Sequence, residues 1–406
     1  MTPAIEDLLR AEAPQVLGAL VRRFGHFDIA EDAVQEALLI VARSWPVDGI
    51  PDNPRSRLIR IAYRRMIDML RSDQARRRRE IDAVATAEPM RTARPSDIDD
   101  SLTLLLLCCH PALGHSAQVA LTLRAVGGLT TAEIAHAYGT SGATMGTRIS
   151  RAKQQLAKAG VRFTPPTDTD RDQRLAAVLR ALYLIFNEGY TATTGGELVR
   201  VDLTAEAVRL TRMLHATAPG DPEVTGLLAL MLLTESRRAA RTNAGELVPL
   251  DEQDRARWNR DLIAEGTALI DSVWNRAPAG PHQIQAAIAA VHAAGDPGCT
   301  DWPQIALLYL WLERLTPTPL VQLARVVAVA RAYGPARGLA LLDDLNRRHH
   351  LDHNPLTQQR EHAVRAHLLQ QTGDHTSAAP LFRRAADLTA NQVEQRYLRA
   401  KADHPD

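Results

Sequence analysis

Apolar residues recur at three- and four-residue spacing along almost the whole chain, and no alternating strand pattern persists. A chain with this period can bury its apolar stripes only between helices, so the expected class is all-α. Composition agrees. Aromatic residues make up only 4% of the sequence, and Ala, Leu and Arg, which lose little rotamer freedom in a helix, dominate. With 406 residues, 45% of them hydrophobic and 23% charged, the chain has room for two or three soluble domains.

The formal net charge of +1 gives no sign of a polyanionic partner, but its distribution does. Between Arg55 and Arg79 there are ten arginines against two aspartates, a local surplus of eight. Between Gly142 and Phe163 there are five cations and no carboxylate. Either stretch can present a phosphate-binding face. The three cysteines, Cys108, Cys109 and Cys299, make no disulfide framework and fit a reducing compartment. The N-terminus lacks a basic-then-apolar signal pattern, and no uncharged apolar run approaches about 18 residues. The expected location is the cytoplasm, with no membrane partner.

Breakers divide the chain. Residues 1–75 form a first helical segment, and 76–100, basic and then acidic with few large apolar residues, read as a tether. A second helical segment, 101–163, closes at Pro165-Pro166, and residues 170–406 form a long helical series with Gly/Pro/Asp turns. Within that series Ala366, Leu369, Gly373, Ala378, Phe382 and Ala385 have tetratricopeptide-repeat spacing: small residues where two helices approach and one Phe filling the gap. Val326 to Leu345, turning at Gly334-Pro335, is a weaker copy.

The sharpest local signal runs from Leu129 to Lys153 and reads as a helix-turn-helix. Thr130 or Thr131 can cap the first helix with Glu133 in its first turn, Ile134 and Tyr138 face the core, and Ala135 is small where helices cross. Gly139 suits the turn. Met145 and Ile149 supply the buried face of the second helix, leaving Thr144, Thr147, Arg148, Arg151 and Lys153 toward DNA.

In the first segment, Val34, Ala37, Leu38 and Val41 form an apolar stripe, with Glu31, Asp32, Gln35 and Glu36 expected outside. A Pro/Asn-rich loop, Asp48 to Pro54, precedes a helix with Leu58, Ile61, Ala62, Met66 and Met69 inward and Arg60, Tyr63, Arg64 and Arg71 outward. Cations with an aromatic beside a loop suit opened DNA, where phosphates meet Arg and an unpaired base can be held.

Together these motifs resemble the extracytoplasmic-function sigma factors of RNA polymerase. Glu31-Asp32-Ala33-Val34-Gln35-Glu36 is similar to their region 2 polymerase-gripping helix. Asp52-Asn53-Pro54 with Leu58 to Ala62 and Ile67 to Arg71 resembles the −10 reading segment, and Thr144 to Lys153 resembles the region 4 helix that reads the −35 element. Cys109-His110-Pro111, Leu182 to Tyr190 and Asp301 to Tyr309 are similar to the group carrying a C-terminal tetratricopeptide-like extension.

The resemblance implies a region 2 bundle, a linker, a region 4 helix-turn-helix and a C-terminal helical regulatory domain. It implies polymerase contacts by Asp32, Gln35 and Glu36 on the clamp helices, with the flap as a second contact. It assigns −10 contacts to Asn53, Arg57, Arg60, Tyr63 and Arg64, and −35 contacts to Thr144, Thr147, Arg148, Arg151 and Lys153. No cofactor, metal or bond chemistry is implied. Leu38 stands where such helices usually carry Phe, Arg57 where they carry Trp, and Gly146 where Lys or another polar contact is common. The competing reading is a polymerase-independent helix-turn-helix regulator with a repeat-based ligand or peptide sensor.

Three constellations read as structural. Cys108-Cys109-His110 lacks zinc-ligand spacing and suits a buried helix edge. His349, His350 and His353 suit an inter-helix loop. Asn187-Glu188-Gly189-Tyr190 suits a helix end with Gly189 as its cap.

Overall fold

The fold follows the apolar period closely. The computed structural model describes residues 3–80, 101–138, 140–160, 168–276, 278–294 and 300–403. The chain divides into two compact units, Met1–His136 with Thr140–Leu184, and Ile185–Asp406 with Ala137–Gly139.

In the first unit, α1 (Pro3–Phe24), α2 (Phe27–Asp48) and α3 (Pro54–Glu80) make a three-helix bundle. Val16, Leu17, Leu20, Val34, Ala37, Val41, Leu58, Ala62 and Met66 are buried in it, which is most of the inward set expected for α2 and for α3; Leu38, Ile61 and Met69 are only half-buried. Gly25 and Gly49 adopt φ of 72° and 84° and let the chain leave α1 and α2 sharply. Four shorter helices follow: α4 (Ser101–Cys108), α5 (His115–Ala125), α6 (Thr131–Ala137) and α7 (Gly142–Lys158). The α4–α5 corner is closed by buried Gln118, whose Nε2 donates to the carbonyls of Cys109 and His110 at 3.2 and 3.1 Å. Burial pushes the Cys109 thiol up to about 12 and raises Cys108 as well, so both behave as core residues. The cysteine-histidine motif is therefore a corner.

The division between units falls inside α8 (Asp168–Tyr190), where Leu182, Ile185 and Phe186 are buried. Gly189 does not cap this helix, as expected from sequence, but lies within it. A Cβ there would stand 2.6 Å from the Thr204 backbone nitrogen, so glycine permits a close helix approach.

The second unit is a series of stacked helices. After β1 (Thr194–Gly195) come α9 (Val201–Thr217) and α10 (Pro222–Glu235), then an antiparallel hairpin of β2 (Thr242–Asn243) and β3 (Glu246–Leu247). α11 (Arg260–Val273) to α14 follow in order, with α12 at Pro281–Ala293, α13 at Trp302–Leu315 and α14 at Pro319–Tyr333. The series ends with α15 (Pro335–His349), α16 (Gln358–Gln371), α17 (His375–Leu388), β4 (Ala390–Asn391) and α18 (Gln392–Asp403). Consecutive helices pack on one another through most of this series. α10 is apolar all round because it lies at the centre, against α9, α11 and α12.

The tetratricopeptide spacing falls on α16 and α17. Ala366, Ala378, Phe382 and Ala385 are buried together, and Gly373 turns the chain at φ 86°. The weaker copy falls on α14 and α15, joined at Gly334 with φ 98°. Gly338 lies where the helices touch, since a Cβ on it would sit 2.6 Å from that of Ala330. The last strand returns to the first: β4 pairs in parallel with β1, and buried Asn391 donates from Nδ2 to the carbonyls of Ala192 and Glu197 at 2.8 and 3.0 Å.

Candidate nucleic-acid interface

α3 begins at a capped turn. The Asn53 side-chain oxygen accepts the Ser56 N–H at 2.9 Å, which fixes the loop leading into the helix. With Leu58, Ala62 and Met66 held in the bundle, helical geometry turns Arg57, Arg60 and Arg64 to solvent, and all three are exposed. Tyr63 is placed differently from expectation. Its ring is half-buried, 5.5 Å from that of Phe24, with the Arg23 guanidinium 5.9 Å from its centroid. The aromatic joins α3 to α1, because its apolar body gains more by packing there than by facing water.

α6 and α7 have the expected helix-turn-helix construction. Thr130 accepts the Glu133 N–H at 3.2 Å while the Glu133 carboxylate accepts the Thr130 N–H at 2.6 Å, a reciprocal cap. Ile134, Ala135, Met145 and Ile149 are buried, as the spacing requires. Gly139 lies outside the described residues. Ser141 caps α7 by accepting the Thr144 N–H at 3.1 Å. Thr144, Thr147 and Arg151 are exposed, Arg148 is half-exposed, and together they line the outer face of this helix.

Lys153 is the exception. Its ammonium donates to Glu31 at 2.9 Å and to Asp32 at 2.8 Å, and its side chain is 12% exposed. Glu31 also accepts from Arg124 Nε at 2.8 Å. Burial alone would lower the Lys153 pKa, but the two carboxylates outweigh it and hold the ammonium above its ordinary range. This corrects two sequence expectations. Glu31 is not outside but 2% exposed, and Lys153 does not face open solvent. A buried carboxylate requires paired cations, and α5 and α7 supply them. Helical spacing gives no sign of the role of Arg124, because its partner lies 93 positions away.

On the rest of α2, Asp32 and Glu36 are exposed and Gln35 is half-exposed. Glu36 meets Arg65 at 3.4 Å, with both side chains nearly half exposed, a contact that water screens. The α2 surface therefore carries one carboxylate engaged by Lys153 and two polar groups open to a partner.

Residues 8–77 match Sigma-70 region 2, and residues 103–156 match Sigma-70, region 4. Residues 174–274 match a family of unknown function (DUF6596). An uncharacterized protein of Rhizobium meliloti (strain 1021) is 42% identical over 98% of this chain and 95% of its own length. No solved structure matches. A bundle carrying region 2 and a helix-turn-helix carrying region 4 define a sigma factor, the promoter-reading subunit of bacterial RNA polymerase. The chain belongs to the sigma-70 family, as an extracytoplasmic-function type with a C-terminal helical extension. It is an alternative sigma factor that directs promoter-specific transcription and interacts with core RNA polymerase and promoter DNA. Among the described residues no helix is long and apolar enough to cross a membrane.

Proposed function

We propose that residues 1–75 grip the polymerase clamp helices and read the −10 element, and that residues 101–163 read the −35 element and meet the flap. Residues 76–100 link them, and residues 170–406 regulate the assembly. On α2, Asp32, Gln35 and Glu36 contact polymerase. On the α3 side, Asn53, Arg57, Arg60, Tyr63 and Arg64 serve the −10 element, with Asn53 and Tyr63 acting by shaping the loop and the helix. Thr144, Thr147, Arg148, Arg151 and Lys153 serve the −35 element.

The observation that carries this reading is the pair of outward cationic faces. Arg57, Arg60 and Arg64 are exposed on α3, and Thr144, Thr147 and Arg151 are exposed on α7. Groups of this kind suit phosphates and base edges. The chain itself makes and breaks no bond. It positions DNA for polymerase in the cytoplasm, and the Leu182 to Phe186 stretch joins the extension to the promoter-reading part.

Run-off transcription with core polymerase tests it. The purified chain is expected to direct initiation at promoters that its own overproduction induces, and deleting residues 171–406 is expected to change that output. A chain that bound duplex DNA but failed to retain core polymerase would instead be a stand-alone regulator. Output unchanged by a stably accumulating truncation would remove the regulatory role.

A further inference from the structure

The second unit holds a groove that promoter reading does not use. Alternate helices of the stack, α14, α16 and α18, wall it together with Leu247 of β3, and its volume is about 300 Å³. The lining is chiefly apolar. Leu323 and Leu398 are its buried members, while Leu320 and Val327, 45% and 37% exposed, present apolar surface to water. Sites for small molecules have this character, apolar walls with a few polar groups, and their volumes start at about 300 Å³.

The polar groups of the groove are uncommitted. Among the described residues Arg360 of α16 meets no carboxylate and Glu394 of α18 meets no cation; the Glu394 Oε2 accepts only the Thr389 hydroxyl, at 2.7 Å. Two opposite charges therefore share one apolar groove without pairing. Gln359, the His367 ring nitrogens and the Tyr397 hydroxyl likewise have no hydrogen-bond partner among the described residues. Ring contacts hold the two aromatic groups instead: His367 lies edge-on to Phe382 at 4.7 Å, and the Lys401 ammonium stands 5.9 Å from the Tyr397 ring centroid. Burial first, and then Lys401, pushes His367 down to about 4, while burial first, and then Glu252, pushes Tyr397 up to about 12. Both are neutral at pH 7 and can hydrogen-bond without adding charge.

We propose that this groove binds a free α-amino acid with an apolar side chain. The ligand carboxylate meets Arg360, its ammonium meets Glu394, and its side chain covers Leu320, Leu323 and Val327. Charge complementarity selects the class. A simple carboxylic acid would satisfy Arg360 but leave Glu394 facing an apolar body, and a simple amine would do the reverse. A zwitterion pairs with both walls at once, and the guanidinium fork suits its carboxylate. The volume fits a single residue better than a length of peptide.

The test titrates the full-length chain with leucine and with phenylalanine in a calorimeter. One saturable site is expected for at least one of them, weakened about tenfold or more by R360Q and by E394Q. Both variants should fold, since Arg360 is exposed and a glutamine at 394 can still accept the Thr389 hydroxyl. Phenylpropionate and phenethylamine, each with one of the two charges, are expected to bind about tenfold or more weaker than phenylalanine. On the unaltered chain, histidine NMR should show the His367 ring signals moving as the site fills. No saturable binding of either amino acid, binding that survives both variants, or a His367 resonance that ignores the bound ligand would overturn the site. Phenylpropionate binding as tightly as phenylalanine would overturn the zwitterion assignment, and capture of an apolar peptide but of neither free amino acid would overturn the small-molecule one.

Discussion

Lys153 of α7 is bound to Glu31 of α2 across 122 positions of sequence, at 2.9 Å. The same ammonium reaches Asp32 at 2.8 Å, so a group assigned to promoter phosphate and a group assigned to polymerase satisfy each other. With Arg124 as its second cation, the Glu31 carboxylate is fully engaged inside the protein.

Lys153→Met is expected to leave Glu31 with Arg124 alone and to cost about 3 kcal/mol, since one cation of a buried ionic group is lost. Urea unfolding of the full chain measures this, and an unshifted midpoint would mean that the pair is screened by water. The same variant is expected to bind core polymerase more tightly in a fluorescence titration, because Asp32 is released.

Arg151→Ala and Arg64→Ala are each expected to weaken promoter-fragment binding by the holoenzyme across all sequences. The salt dependence should fall by about 0.9 for each phosphate contact removed. Affinity measured against salt concentration checks it. A loss confined to one promoter sequence would mark base reading instead.

The second unit should lose stability in mild acid. His292 and His367 are each held down to about 4 from 6.5, chiefly by burial, so the folded state resists a proton that the unfolded chain accepts. Stability is full above pH 6.5 and falls as pH drops toward 4, by roughly 3 kcal/mol per histidine at most. Denaturation midpoints between pH 7 and 4 measure the slope, and His367→Leu should flatten it.

Two glycines should respond oppositely. Gly146→Ala is expected to gain about 1 kcal/mol, since the new methyl would meet nothing closer than Thr131 Cγ2 at 3.9 Å. Gly338→Val is expected to lower Tm by several degrees or more, because its Cβ falls 2.6 Å from that of Ala330. Thermal unfolding of both variants decides.

What the sequence made legible was local. The Thr130–Glu133 cap, the buried Met145 and Ile149, and the Ala366/Ala378/Phe382 packing follow from spacing along single helices or adjoining pairs. Helical period says which face is apolar, but not which other face it meets. For that reason spacing alone turns Tyr63 outward although it packs on Phe24, and Lys153 outward although it pairs with Glu31.

The parallel pairing of β1 with β4 has a counting consequence. Open helical arrays can gain or lose a unit, because each unit needs only its neighbours. Here Asn391 must arrive beside Ala192 and Glu197, so an added or missing helix pair would carry it past its acceptors. The number of helices between the two strands is thus fixed by geometry, as the number of staves is fixed once a hoop is closed.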